Sequence, residues 1–188
     1  MTADNVTAQD EVVDICRDLI RIDTTNPGDH SGPGERQAAE YVAAKLAEVG
    51  LEPTVLESHP KRTSVVARIE GENPSRPALL VHGHLDVVPA SAPDWQVDPL
   101  SGEIADGCVW GRGAIDMKDM DAMMLAVVRQ RLREQRRPAR DIVLTFTADE
   151  EAGGTWGARF LVDQHPELFE GVTEAVGEVG GFSLTLGG

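Results

Sequence analysis

Cysteine, long apolar runs and positive charge are all scarce in this sequence, and each scarcity removes a class of protein. Cys16 and Cys108 are the only cysteines in 188 residues, stand far apart and form no CxxC spacing. Neither a disulfide framework nor a thiolate metal site is encoded, so both read as ordinary thiols. No apolar stretch approaches the roughly 20 residues that cross a bilayer, and the opening MTADNVTAQDE lacks the basic and then apolar blocks of a secretory signal. A cytoplasmic protein without a membrane span is expected. Basic residues number 17 against 32 acidic ones, a formal net charge of -15. Such a surface repels phosphate backbones, which argues against nucleic acid as a partner.

What is present reads as one α/β domain. Thr7 and Asp10 have capping-box spacing ahead of Val12, Ile15, Cys16, Leu19 and Ile22 at helical intervals, and Asn26, Pro27 and Gly28 end that helix. A second helix is expected from about Glu35, with Gly50 as its C-terminal stop. Short strands follow at 54–56 and 64–69, and then ALLVHGHLDVV suits a buried strand running into a loop. The Pro-, Gly- and Asp-rich stretch from Pro89 to Ala114 reads as mostly loop. Residues 117–137 are helical in spacing, with Met120, Met124, Val127, Val128 and Leu132 as the apolar face. The arginines crowding its end, Arg129, Arg131, Arg133, Arg136 and Arg137, read as a solvated face favoured by the helix dipole. DIVLTFTADEE is another buried strand, 157–164 a helix and 173–177 a last strand. Strands alternating with helices imply three layers, a largely parallel central sheet flanked by helices.

In such sheets ligands gather beyond the carboxyl ends of the strands. Three strands here end in histidine or acids: His82, Gly83, His84, Leu85, Asp86; then Asp149, Glu150, Glu151; then Glu178. Asp116 adds a carboxylate between the Gly-rich WGRGAID and the following helix. So many carboxylates at one edge repel unless cations neutralise them. His84 and Asp86, two apart on extended backbone, project to one side, so Asp86 can hold one imidazole nitrogen while the other faces a metal. His82 lies deeper in the strand and reads as structural. Glu150 and Glu151, if extended, point oppositely, one toward metal and the other toward water or substrate.

Taken in order, HGHLDVVP, GRGAIDMKD, TADEEAGG and VGEVGG resemble the M20 family of metallopeptidases, which includes aminoacylase, acetylornithine deacetylase, succinyl-diaminopimelate desuccinylase, carnosinase-type dipeptidases and glutamate carboxypeptidases. The resemblance implies a zinc-exopeptidase-like catalytic domain in which His84, Asp116 and Glu178 bind one metal, and Asp116 bridges to a second held by Glu151. It makes Glu150 the general base, Asp86 the residue that orients His84, and the Asp116–Met117 peptide cis. Zinc is the implied ion, and a carboxylate-rich site also accepts cobalt or manganese. The implied reaction is hydrolysis of an amide in a small peptide or N-acyl amino acid: water activated at two metals yields its proton to Glu150, which returns it to the leaving nitrogen.

The family pattern also calls for a late histidine beside Glu151 and for an inserted dimerisation domain through which a full-length protein can form a homodimer. Neither stands in this sequence, and His30, His59 and His165 match no motif and read as surface or loop residues. Residues 1–188 are therefore expected to be the N-terminal part of the catalytic domain, binding at most one metal well and turning over little or no substrate. Two alternatives stand beside that reading: a non-catalytic metal-binding or interaction module, and a zinc aminopeptidase related in fold.

Overall fold

The computed structural model describes residues 6–29 and 31–178. Helix α1 (Ala8–Arg21) starts at the expected capping box, with Asp10 accepting from the Thr7 backbone at 2.9 Å. Helix α2 (Arg36–Ala47) stops where Gly50 turns to φ +80° and Leu51 N–H returns to the Leu46 carbonyl at 3.2 Å. Strands β1 (Thr54–His59) and β2 (Arg62–Ile69) form a hairpin, and β3 (Ala78–His84) follows. The stretch expected to be mostly loop holds a small second hairpin, β4 (Glu103–Ala105) with β5 (Cys108–Trp110). Three-residue strands are too short to show alternation in a Gly-rich sequence, so they escaped the pattern. Helix α3 (Lys118–Arg133), strand β6 (Ile142–Thr147), helix α4 (Phe160–Gln164) and strand β7 (Val172–Val176) complete the elements. No helix among the described residues is long and apolar enough to cross a membrane.

The main sheet runs β1-β2-β6-β3-β7. β6, β3 and β7 are parallel, and the β1–β2 hairpin joins antiparallel through β2. One face buries Val65, Ala67, Leu144 and Phe146 under α1, α2 and α3, and the other buries Val66 and Val143 under Leu161 of α4. These are the three layers the alternating strands and helices imply. Because β6, β3 and β7 share one direction, their carboxyl ends lie at one edge, which gathers His84, the Asp149–Glu151 segment and Glu178.

Helix α3 buries Met124 of the expected apolar face and packs Met120 and Val128 against the core, but its buried side extends further round the helix than expected. Lys118, Asp121, Ala122, Leu125 and Arg129 form the buried stripe, whereas Met123 and Val127 are 49% and 53% exposed. The stripe has i, i+3, i+4, i+7 spacing, but three of its five members are charged, so hydrophobicity alone marked only its neighbours. Lys118 holds its place by donating to the carbonyls of Leu19 and Ile22 at 2.9 and 2.8 Å, at the C-terminal end of α1. The arginine cluster is not a uniformly solvated face either. Arg129 is buried against Glu11 and the Lys45 carbonyl, and Arg133 pairs with Glu11 at 2.6 Å, fastening α3 to α1 and α2.

Candidate metal centre

His84 is the last residue of β3 and is 2% exposed. Its Nδ1 lies 3.0 Å from the backbone carbonyl of Asp86 and 3.5 Å from that residue's Oδ1. Asp86 thus holds the ring chiefly through its main chain, and Nε2 is left facing the cluster. Around Nε2 stand Asp116 Oδ1 at 3.0 Å, Glu178 Oε1 at 3.5 Å and Glu150 Oε2 at 3.7 Å. Ligand atoms of His84, Asp116 and Glu178 fall within 4.8 Å of one another. Asp116 arrives from the loop ahead of α3, its peptide to Met117 is cis, and Glu178 comes two residues after β7 ends.

Glu150 and Glu151 do not continue the β6 strand. Asp149 adopts a left-handed conformation, φ 65°, and the next three residues form a 3-10 turn. The two side chains therefore diverge by the pitch of a tight turn rather than by strand alternation. Glu150 reaches the His84 imidazole, while Glu151 is half-buried and feels Asp116. Asp86 makes that turn possible. Its Oδ1 accepts from Glu150 N–H at 3.0 Å and its Oδ2 from Glu151 N–H at 3.1 Å. The same carboxylate accepts from the Asn26 amide at 2.8 Å.

The protonation states follow from this crowding. Burial lowers the His84 imidazolium, but the Asp86 contact and the charges of Asp86, Asp121 and Glu150 outweigh it and lift the ring to about 10. Burial raises Asp86, yet its hydrogen bonds with His84, Asn26 and Glu150 hold it below the usual carboxylate range. Burial and the Asp116 charge push both Glu151 and Glu178 upward. Imidazole nitrogen with carboxylate oxygens is a donor set for a divalent transition ion, and mutual repulsion among the acids is what such a charge relieves. The residues fit one ion held by His84, Asp116 and Glu178. Glu151 stands beside Asp116 without a second histidine among the described residues.

Comparison with known proteins is consistent with this geometry. A model of peptidase family M20/M25/M40 matches residues 80–186, more than half of the chain. The chain belongs to that family. Within it, aminoacylase-1 of Sus scrofa is 34% identical over 157 residues, 83% of this chain and 37% of that protein. The cysteinylglycine-S-conjugate dipeptidase of Corynebacterium striatum is 34% identical over 153 residues, 80% of this chain and 33% of the dipeptidase. The M20 metallo-carboxypeptidase Sso-CP2 of Sulfolobus solfataricus superimposes with a TM-score of 0.77 over 92% of this chain and 38% of its own; at 20% identity that likeness shows the fold. The chain thus spans about two fifths of the length of the M20 relatives it matches.

His82 is half-buried and outside the ligand group, its ring lying where a side chain at Gly177 would be, which suits the structural role expected of it. His59 is the end of β1 rather than a loop residue, its ring 4.8 Å from that of Trp156. His165 sits at a turn against Phe160 and Glu167, and His30 lies outside the described residues. Asn26, Glu35 and Arg62 are buried near Asp86 without having been read as part of the site, and Asp149, named only as one of the acids ending its strand, is buried with them. Arg62 opens β2, which also carries Thr63, Ser64 and a second arginine, Arg68, so nothing in the sequence marked it.

Proposed function

We propose that the intact protein hydrolyses the amide bond of a small peptide or N-acyl amino acid at a centre of divalent cations, zinc foremost, with Glu150 as the proton carrier. One observation supports this above the rest: the ligand atoms of His84, Asp116 and Glu178 converge within 4.8 Å, and Glu150 Oε2 comes within 3.7 Å of the same imidazole nitrogen. Membership of the family and the aminoacylase and dipeptidase relatives support the substrate class.

Divalent ions bound there would polarise an amide carbonyl and lower the pKa of water. The chain's own residues do the rest. Asp86 engages Nδ1 of His84, so that Nε2 is presented to the centre as an acceptor. Glu150 is exposed at the mouth of the site, so it can take a proton from water and hand it to the leaving nitrogen. Asp116 contacts His84, and its charge acts on Glu151, so it is the carboxylate that would be shared if two cations were held. In residues 1–188 alone, the set around His84 serves one cation, and turnover is little or none.

Replacing Glu150 with Gln in the full-length protein separates chemistry from binding. Cobalt or zinc binding should persist while hydrolysis of N-acetyl amino acids and dipeptides falls about 10²- to 10⁴-fold. Unchanged turnover in that variant would remove Glu150 from the mechanism, and full turnover by the 188-residue chain would refute the division of labour.

A further inference from the structure

Beneath the centre, five polar side chains from five separate segments meet in the interior. Asn26, Glu35, Arg62, Asp86 and Asp149 are between 0 and 3% exposed. Asn26 is carried in beside β3: its N–H donates to the Val87 carbonyl at 2.8 Å, and Thr24 Oγ1 donates to the Leu85 carbonyl at 2.7 Å. Its amide nitrogen then bridges two carboxylates, Asp86 Oδ2 at 2.8 Å and Asp149 Oδ1 at 3.3 Å. Its amide oxygen accepts from Arg62 Nη2 at 2.9 Å. Arg62 in turn is ion-paired with Glu35 at the head of α2, and its Nε lies 3.9 Å from Asp149. Asp149 closes the set by accepting from Trp156 N–H at 3.0 Å.

The polarity of this chain of bonds has a consequence. The Asn26 amide can face only one way, because its oxygen must meet the guanidinium and its nitrogen the two acids. Two carboxylates that would repel are held on either side of one NH₂ group, with Arg62 Nε on the Asp149 side at 3.9 Å and His84 Nδ1 on the Asp86 side at 3.5 Å. Asp86 is thereby fixed with both oxygens turned to the Glu150 and Glu151 N–H groups. We infer that Arg62 and Asn26 are positioning residues for the metal centre: they touch none of its ligands, and through Asp86 they set where the Glu150–Glu151 turn stands relative to His84. The inference rests on the proposed metal centre for its function, but the coupling itself is a property of the metal-free chain.

Amide hydrogen exchange on the full 188-residue chain tests it without any metal. In Asn26→Ala, and separately in Arg62→Met, exchange at the Glu150 and Glu151 amides should quicken about tenfold or more, with the β6 amides at 143–146 still protected. Unchanged exchange at Glu150 and Glu151 overturns the proposal. So does equal acceleration in β6, which would report general loosening. A cobalt titration supplies the second reading: each substitution should weaken Co²⁺ binding by about 10- to 100-fold, and in an Asp86→Ala background should weaken it no further. Additive losses would refute the route through Asp86. A chain that binds no Co²⁺ would sink the metal centre, and the exchange result alone would then decide whether Arg62 and Asn26 set the turn.

Discussion

The metal-free chain should lose stability just above neutrality, and the loss should be traceable to one ring. Asp86 and the neighbouring acids outweigh burial and hold the His84 proton up to about 10, whereas an unfolded histidine releases it near 6.5. Between those values the folded chain carries one proton more than the unfolded chain, so stability falls as pH rises, by about 1.4 kcal/mol per pH unit. Lys118 acts in the opposite sense. Burial lowers it from 10.5 to about 8, so above pH 8 the folded chain carries one proton fewer and stability recovers at a similar slope. The two together give a decline of about 2 kcal/mol between roughly pH 6.5 and 8, then a plateau toward about pH 10. Glu35, pushed up to about 7 by burial against the pull of Arg62, adds a decline of its own below that value. Urea unfolding followed by circular dichroism in EDTA, at half-unit steps across this range, measures the curve. His84→Gln should remove the decline between about pH 7 and 8 and leave a rise above about pH 8 from Lys118 alone. Stability that is level or rising between about pH 7 and 8 in the unmodified chain, or a decline across that interval that survives in His84→Gln, would refute the reasoning.

Three further outcomes follow from the same contacts. Since a cation must displace the His84 proton, Co²⁺ affinity measured by calorimetry should rise about tenfold per pH unit between roughly pH 6.5 and 8. Gly83→Ala should lower the midpoint of thermal unfolding, because a Cβ there would stand 2.2 Å from Asp121 Oδ1. Making that room inside a packed core costs about 1–3 kcal/mol. Lys118→Met should cost about 1–3 kcal/mol at neutral pH by removing the ammonium donor from the Ile22 carbonyl and one of two donors from the Leu19 carbonyl, and should abolish the plateau above about pH 8 in the urea series.

Much of this site could be read from the sequence because its acids and its histidine end strands, and a strand end is a local signal. His84, Asp116, Glu150, Glu151 and Glu178 each follow an apolar run or a Gly-rich loop within a few residues. The side chains that hold them in place carry no such mark. Asn26 is 60 residues from Asp86 and 123 from Asp149, and Arg62 is 36 from Asn26. Contacts at those separations leave no periodicity in a single chain. Asn26 read as a helix stop, although α1 already ends at Arg21 with Ile22 as its extended cap. The conformation of Glu150 and Glu151 was hidden for a different reason: extrapolating strand alternation past Thr147 gives opposed side chains, but a left-handed Asp149 ends the strand, and Asp86 secures the turn from another segment. Lys118 and Asp121 were missed because a stripe sought by hydrophobicity skips its charged members.

The two halves of the centre are held with unequal firmness. His84 and the Glu150–Glu151 turn belong to neighbouring central strands, joined by the β3–β6 ladder and again by the Asp86 carboxylate. Asp116 is pinned from behind, since Lys118 two residues later is anchored on the end of α1. Glu178 has less behind it. It follows β7, the last strand in the sheet, whose residues Thr173 to Val176 are exposed and whose pairing among the described residues is with β3 alone. A cation shared by His84, Asp116 and Glu178 would therefore join the least supported strand to the two best supported elements. On the proposed reading, binding energy at this centre is partly spent in fastening β7, which ties metal affinity to the integrity of the sheet edge as well as to the ligands themselves.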